Sequence, residues 1–284
     1  MFYLLAVFTS FKPFTGAAAD IQMRSLENWR AVFPDSDIVN FETAADESIP
    51  ADLRTVVIDE EKGKVPLFGS MVRWMETNTD ADLLLYANGD ILFPSDLRAR
   101  LVSLPDCLFL LTGQRVDIGS DGSKRLHGPS GMDYFIFRRG IFDDLPDVVM
   151  GRAYCDSALV SHCLRKRISV IDGSFAIRVE HQFHDYGHVD GGRETVWMGN
   201  DAMHNLEANC LRGFAPHCID ATHTLLRDGR IVPNVRASLL RKLELELFYR
   251  KGYWWCPPFN AWWNLLTRGG KLWKNPKWDD VQAI

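Results

Sequence analysis

With 284 residues, 46% of them hydrophobic and 24% charged, the chain can bury a substantial core, as one large α/β domain or as one domain with an appendage. A formal net charge of −5 argues against a generic nucleic-acid binder, whose partner's phosphates ask for a basic field. The six cysteines include no Cys-x-x-Cys pair, which speaks against a structural zinc site and for reduced thiols in a cytoplasmic protein.

The apolar run from Phe2 to Phe8 lacks a basic start and is too short to span a membrane, so it reads as a buried first strand rather than a signal peptide. A helix is expected next, with Asp20 near its start and Ile21, Met23, Leu26, Trp29 and Val32 along one side. Residues 37–42 read as a second strand, completing a strand-helix-strand unit whose two strands end at one edge. That edge gathers Thr9, Phe11 and Glu42 as candidate contacts for a nucleotide base. A third strand is expected over 55–58, then a loop, then a helix over 66–77 with Leu67, Met71, Trp74 and Met75 as its buried stripe.

The helix leads into Leu83–Ala87, an apolar run that reads as a fully buried strand, and then into Asn88-Gly89-Asp90 before apolar residues resume at Ile91. An acid at the end of a central strand lies where open sheets bind their ligands, and Asp90 is therefore a candidate metal ligand for a diphosphate. Gly89 is read as the residue that lets the chain turn tightly there. Asn-Gly is also a common hairpin turn, in which case Asp90 only solvates a bend.

Further on, residues 96–101 suggest a short helix and 107–116 a buried strand, followed by a polar, glycine-rich stretch from Gly119 to Gly131 expected to be a loop over the site. A strand over 132–140 carries Asp133 near its start. At Gly151–Val160 a loop enters a helix, where Asp156 is either a helix cap or, beside Arg152, a base for an acceptor hydroxyl. Strands are expected over 169–172 and 176–180. His181, His184 and His188 then fall within eight residues. On a strand, a spacing of three sends His181 and His184 to opposite faces, so a joint site needs a bend; solvated histidines on a surface loop are the plainer reading.

Residues 200–212 and 238–251 read as helices, with a small hairpin or turn around Asp228-Gly229 between them. Six of the nine tryptophans lie after residue 250, among arginines and lysines. This aromatic and basic tail suits a membrane interface, a partner protein, or a packed lid, and Pro257-Pro258 disfavours one continuous amphipathic helix.

The order of these segments resembles the GT-A class of nucleotide-sugar glycosyltransferases, in particular family-2-like bacterial members, from residue 1 to about residue 195. The resemblance is carried by the amino-terminal strand-helix-strand half, Asn88-Gly89-Asp90 as a variant of the Asp-x-Asp metal motif, Gly131–Phe135, Gly151-Arg152-x-x-x-Asp156 and His181–Tyr186. It implies an α/β fold with a mixed, mostly parallel, Rossmann-like central sheet flanked by helices. It divides the chain into a catalytic domain, 1–199 (nucleotide half 1–95, acceptor and metal half 96–199), and a mainly helical, aromatic-rich extension, 200–284.

The implied activity is transfer of a hexose-type sugar from a nucleoside-diphosphate sugar to an acceptor hydroxyl of a glycan or lipid-linked glycan, in the cytoplasm or at the inner face of the membrane. Mn2+ or Mg2+ on Asp90, with His184 or His181 as the carboxy-terminal ligand, would stabilise the departing diphosphate. Asp156 takes the position of the base in inverting members, with Asp133 in reserve. Asn88, neutral where the family has its first Asp, is expected on ribose or a metal-bound water, and Thr9, Phe11, Glu42 and Arg152 complete the donor contacts. Two other readings remain: a sugar nucleotidyltransferase, which calls for a glycine-rich basic loop that Thr9–Phe14 does not supply, and a non-catalytic carbohydrate-binding or scaffold domain.

Overall fold

The structure, a computed structural model, describes residues 3–58, 65–184, 192–209, 211, 215–237, 239, 241–243 and 245–246. The aromatic and basic tail after residue 250, and His188, lie outside the described residues.

The chain begins as alternating strands and helices: β1 (Leu5–Thr9), α1 (Gly16–Val32), β2 (Ile38–Glu42), β3 (Arg54–Val57), α2 (Phe68–Asn78) and β4 (Leu83–Ala87). β1 lies between β2 and β4, parallel to both, and β3 extends β2 in the same sense. Successive β4 side chains serve opposite faces. Leu84 and Tyr86 enter one core with α2, while Leu83, Leu85 and Ala87 enter the other with α1, so the strand is apolar at every position. The buried face of α1 is Gln22, Ser25, Leu26, Trp29 and Val32 rather than the all-apolar stripe expected, because Gln22 and Ser25 are needed as hydrogen-bonding anchors beside the site.

After β4 come β5 (Ile91–Leu92), α3 (Leu97–Arg100), β6 (Phe109–Thr112), β7 (Val116–Ile118), β8 (Lys124–Leu126), β9 (Tyr134–Arg138), α4 (Cys155–Arg165), β10 (Ser169–Asp172), β11 (Glu180–His181), α5 (Gly192–Met198), α6 (Asn200–Ala208), β12 (His223–Leu225) and β13 (Ile231–Pro233). Nine strands form the main sheet in the order β13-β12-β10-β6-β9-β4-β1-β2-β3. Only β9 and β13 run against the others, which makes the sheet mixed but mostly parallel. The fold is thus mixed α/β, with the carboxyl ends of its parallel strands on one edge. Among the described residues, no helix is long and apolar enough to cross a membrane.

A second, small sheet in the order β5-β11-β7-β8 stands at that edge, and it corrects three expectations. First, Ile91–Leu92 pairs with Glu180–His181 and not back onto β4, so Asn88-Gly89-Asp90 is not a hairpin turn. The α1 helix holds the segment in place: Trp29 donates to the Ile91 carbonyl at 2.8 Å, and Asn28 bonds both the N–H and the carbonyl of Phe93. Second, the strand expected over 107–116 breaks after Thr112, and the chain changes sheets at Gly113-Gln114. Gly113 is required there, since a Cβ would lie 2.7 Å from the Ser174 nitrogen and 2.8 Å from the Tyr134 hydroxyl. Third, the stretch expected to be a loop contains β8, paired antiparallel with β7.

The main sheet gains two strands, β12 and β13, from beyond residue 199. β12 pairs parallel with β10, and Arg236 makes an ion pair with the buried Asp172.

Candidate active site

The site forms where the end of β4 meets the small sheet. Gly89 is there for space rather than for its backbone: a Cβ would stand 2.5 Å from the Phe11 ring. With Phe11 stacked on Trp29 and both held in the core, β4 delivers Asp90 into an enclosed position, with its residue only 8% exposed. The Asp90 carbonyl is itself gripped, accepting the backbone N–H of Gln182 at 3.1 Å.

Gln182 in turn donates to Ser25 and to the Ile21 carbonyl, tying the end of β11 to α1. β11 ends at His181, and His184, just past the strand's end, faces the same target as His181. Their rings lie 5.0 Å apart. His184 Nε2 lies 2.8 Å from Asp90 Oδ2, and His181 Nε2 lies 3.7 Å from the same oxygen.

One ligand atom from each of Asp90, His181 and His184 can be chosen so that all lie within 4.8 Å of one another, a separation suited to a single divalent ion. The other carboxylate oxygen, Asp90 Oδ1, is buried with no hydrogen-bond partner among the described residues. A buried carboxylate oxygen without a partner is costly unless something cationic completes it, so the residues fit a metal. Burial opposes the charge on Asp90, but the hydrogen bond from His184 and the nearby His181 and Lys12 outweigh it and hold the carboxyl far below its ordinary value. Burial pulls the His181 imidazole below its ordinary value against the attraction of Asp90, which favours the neutral, ligating form.

A second line of charge backs the first. Arg115 donates to both oxygens of Asp133 at 2.9 Å and, through Nε, to Asp117 Oδ1 at 2.8 Å. Burial opposes its charge, yet Asp133 and Asp117 raise its pKa above the usual guanidinium value. Asp133 also accepts from the Asn88 amide at 2.7 Å, and Tyr86 donates to the Asn88 carbonyl oxygen at 3.3 Å. Asn88 is therefore held by Asp133 and Tyr86. Asp117, with its other oxygen 2.7 Å from His127 Nδ1, is held at about 2. Burial works against that charge, and the bonds from His127 and Arg115 more than offset it.

Asp156 is the second residue of α4, following Tyr154, whose φ of 69° lies in the left-handed region. It makes no helix-capping bond; the Cys155 thiol points to it at 3.2 Å. Burial, reinforced by the charge of Asp133, raises its carboxyl well above the ordinary range and so favours the protonated form.

The predicted donor contacts are arranged differently. Thr9 is fully buried and donates to the Ala87 carbonyl at 2.7 Å, and the Phe11 ring is core, so neither side chain presents a surface to a base. The physical reason is that β1 is a central strand whose end is roofed by α1. Glu42 stays partly open. It accepts from Asn40 at 2.9 Å, while Asn40 accepts the Phe11 N–H. Burial raises Glu42 from 4.5 to about 7, against the Asn40 bond. Arg152 points to α6, 3.7 Å from Asp201, and not to Asp156.

Sequence reading passed over Arg115, Asp117 and His127. The signal was present in the alternation of Arg115 and Asp117, two charges on one face immediately after a buried strand.

No family model and no curated protein matches the chain. Among solved structures, S. aureus TarS in complex with UDP-GlcNAc matches with a TM-score of 0.44 at 11% identity, covering 65% of this chain and 60% of that one. GalNAc-T7 with UDP, GalNAc and Mn2+ matches with a TM-score of 0.44 at 12% identity, covering 70% of this chain and 45% of that one. A mannosyltransferase from Pyrobaculum calidifontis in complex with GDP-Man and Mn2+ matches with a TM-score of 0.49 at 13% identity, covering 94% of this chain and 76% of that one. The chain thus spans less than two thirds of the first two. At these scores the likenesses carry no weight for function, and the assignment to the mixed α/β class rests on the sheet itself.

Proposed function

We propose that the protein is a metal-dependent glycosyltransferase that moves a sugar from a nucleoside-diphosphate sugar to an acceptor hydroxyl of a glycan or glycolipid. The observation that carries this reading is the unpartnered, buried Asp90 Oδ1 in a cluster with His181 and His184, at the carboxyl edge of a mostly parallel sheet. Asp90, His181 and His184 would hold the ion. Two imidazoles beside one carboxylate suit Mn2+ or a softer ion better than Mg2+. When bound, the ion supplies Lewis-acid stabilisation of the charge that develops on the diphosphate.

The chain's own residues divide the remaining work. Asp156 is the proposed base for the attacking hydroxyl in a single, inverting displacement; burial and Asp133 favour its protonated form, so it acts from the ionised fraction. Asp133 is already committed to Arg115 and Asn88, and so serves to fix Asn88 rather than as a base. Glu42, on the open end of β2, is the proposed contact for the base, with Thr9 and Phe11 supporting the floor beneath it. Arg152 is the proposed contact for the outer part of the donor. In this reading residues 1–95 carry the donor nucleotide and the ligand Asp90, 96–199 supply His181, His184 and the acceptor side, and the strands after residue 199 complete the same sheet.

The test is incubation with UDP- and GDP-sugars and Mn2+. Slow release of free sugar, lost with chelator and lost in Asp156→Asn, is expected. Full release by Asp156→Asn would remove that residue from its role, and no release from any donor would count against the transferase.

A further inference from the structure

We infer that Asp117 is a positioning residue for the cation site, fixing the tautomer of His181 so that Nε2 faces the ion. The inference rests on the reading of Asp90, His181 and His184 as cation ligands. It starts from register. β11 lies between β5 and β7, and in that pairing His181 is opposite Ile91 on one side and Asp117 on the other. The residue before Ile91 is Asp90, so the small sheet sets His181 between two carboxylates.

The side chains follow the backbone. His181 Nε2 stands 3.7 Å from Asp90 Oδ2, and His181 Nδ1 stands 3.6 Å from Asp117 Oδ1. These are electrostatic contacts, slightly longer than hydrogen bonds. They are directional nonetheless: one ring nitrogen looks at the proposed ion site and the other looks away from it, at an acceptor.

A histidine can ligate through Nε2 only if its proton sits on Nδ1, and a carboxylate facing Nδ1 favours that tautomer. Asp117 is itself immobilised, by Arg115 Nε at 2.8 Å on Oδ1 and by His127 Nδ1 at 2.7 Å on Oδ2. Its place is therefore held whether or not an ion is present. Gly131 adds to this, because a Cβ there would stand 2.4 Å from the His127 ring.

Two readouts besides turnover test the inference. The first is the His181 nitrogen spectrum of the metal-free, 15N-labelled protein at a pH where the ring is neutral. Wild type should show a protonated Nδ1 and a bare Nε2, and Asp117→Ala should lose that preference. The second is Mn2+ affinity by calorimetry. Asp117→Ala should weaken binding about 10–100-fold in the wild-type background. In the His181→Ala background it should weaken binding less than about twofold, because the route through His181 is already gone.

Asp117→Asn, which keeps an acceptor oxygen, should retain most of the affinity and serves if Asp117→Ala does not fold. A wild-type His181 protonated on Nε2 would overturn the inference. So would an equal loss of Mn2+ affinity in both backgrounds. Failure of the wild type to bind Mn2+ at all would instead strike the cation reading, and the tautomer spectrum would still decide the role of Asp117.

Discussion

Two parts of the same sheet edge carry residues of similar character but differ in how those residues are satisfied. At the ends of β1 and β2, the Thr9 hydroxyl, the Phe11 ring and Asn40 all have partners within the protein. At the end of β4, a carboxylate that is also buried keeps one oxygen without any among the described residues. Position at a strand end is common to both, so position alone does not mark a site. What marks it is an unmet electrostatic demand in a place too dry for water to meet cheaply.

Substitutions should separate the two regions, chemistry on one side and fold on the other. The largest effect is expected at Asp156. Asp156→Asn should cut transfer by about 10^2–10^4-fold while donor affinity, measured by calorimetry, stays near wild type. A parallel loss of donor binding would mean that the residue holds the site together rather than acting as base. Next comes Phe11→Ala, which empties a stacked core position and should cost about 3–5 kcal/mol in urea unfolding. A stable variant with lost donor binding would move Phe11 back to the ligand surface.

Gly89→Ala forces a methyl against that same ring and should cost roughly 1–3 kcal/mol. The smallest effect belongs to Glu42, a residue of the first region that remains partly open. Its folded value of about 7 exceeds the ordinary 4.5, so the folded protein keeps a proton that the unfolded chain gives up. The associated stability is complete below pH 4.5 and is lost as pH rises through 7. Its size is roughly 1–2 kcal/mol once the partial exposure is counted. Glu42→Gln should remove that pH dependence from the unfolding midpoint, and an unchanged slope would show that another group is responsible.

Much of the main sheet was legible because its signals are local. Leu83–Ala87 is apolar at every position, and the preceding strands and helices repeat at a regular spacing, which is enough to place Asp90 at a strand end. The small sheet was not legible. Its strands are two or three residues long, and its central strand joins partners from distant parts of the chain. Composition misled where Gly119–Gly131 read as loop, because β8 is short and two of its three residues, Lys124 and Arg125, are exposed.

The same gap concealed Asp117, whose meaning comes from lying opposite His181. It also left the convergence of His181 and His184 open, since Gln182, between them, is anchored on α1, far away in the chain. Phe11 was open to two readings for a related reason. An aromatic ring at a strand end can stack on a base or on Trp29, and only the three-dimensional position of α1 decides between them.

The central claim is that Asp90 with His181 and His184 holds a divalent ion. Calorimetric titration of Mn2+ into wild type and Asp90→Asn tests it most directly. The expected result is one site per chain in wild type and affinity at least about 100-fold weaker in the variant, with its far-ultraviolet spectrum unchanged. Equal affinity in the two proteins, or no binding to wild type with a nucleoside diphosphate present, would contradict it.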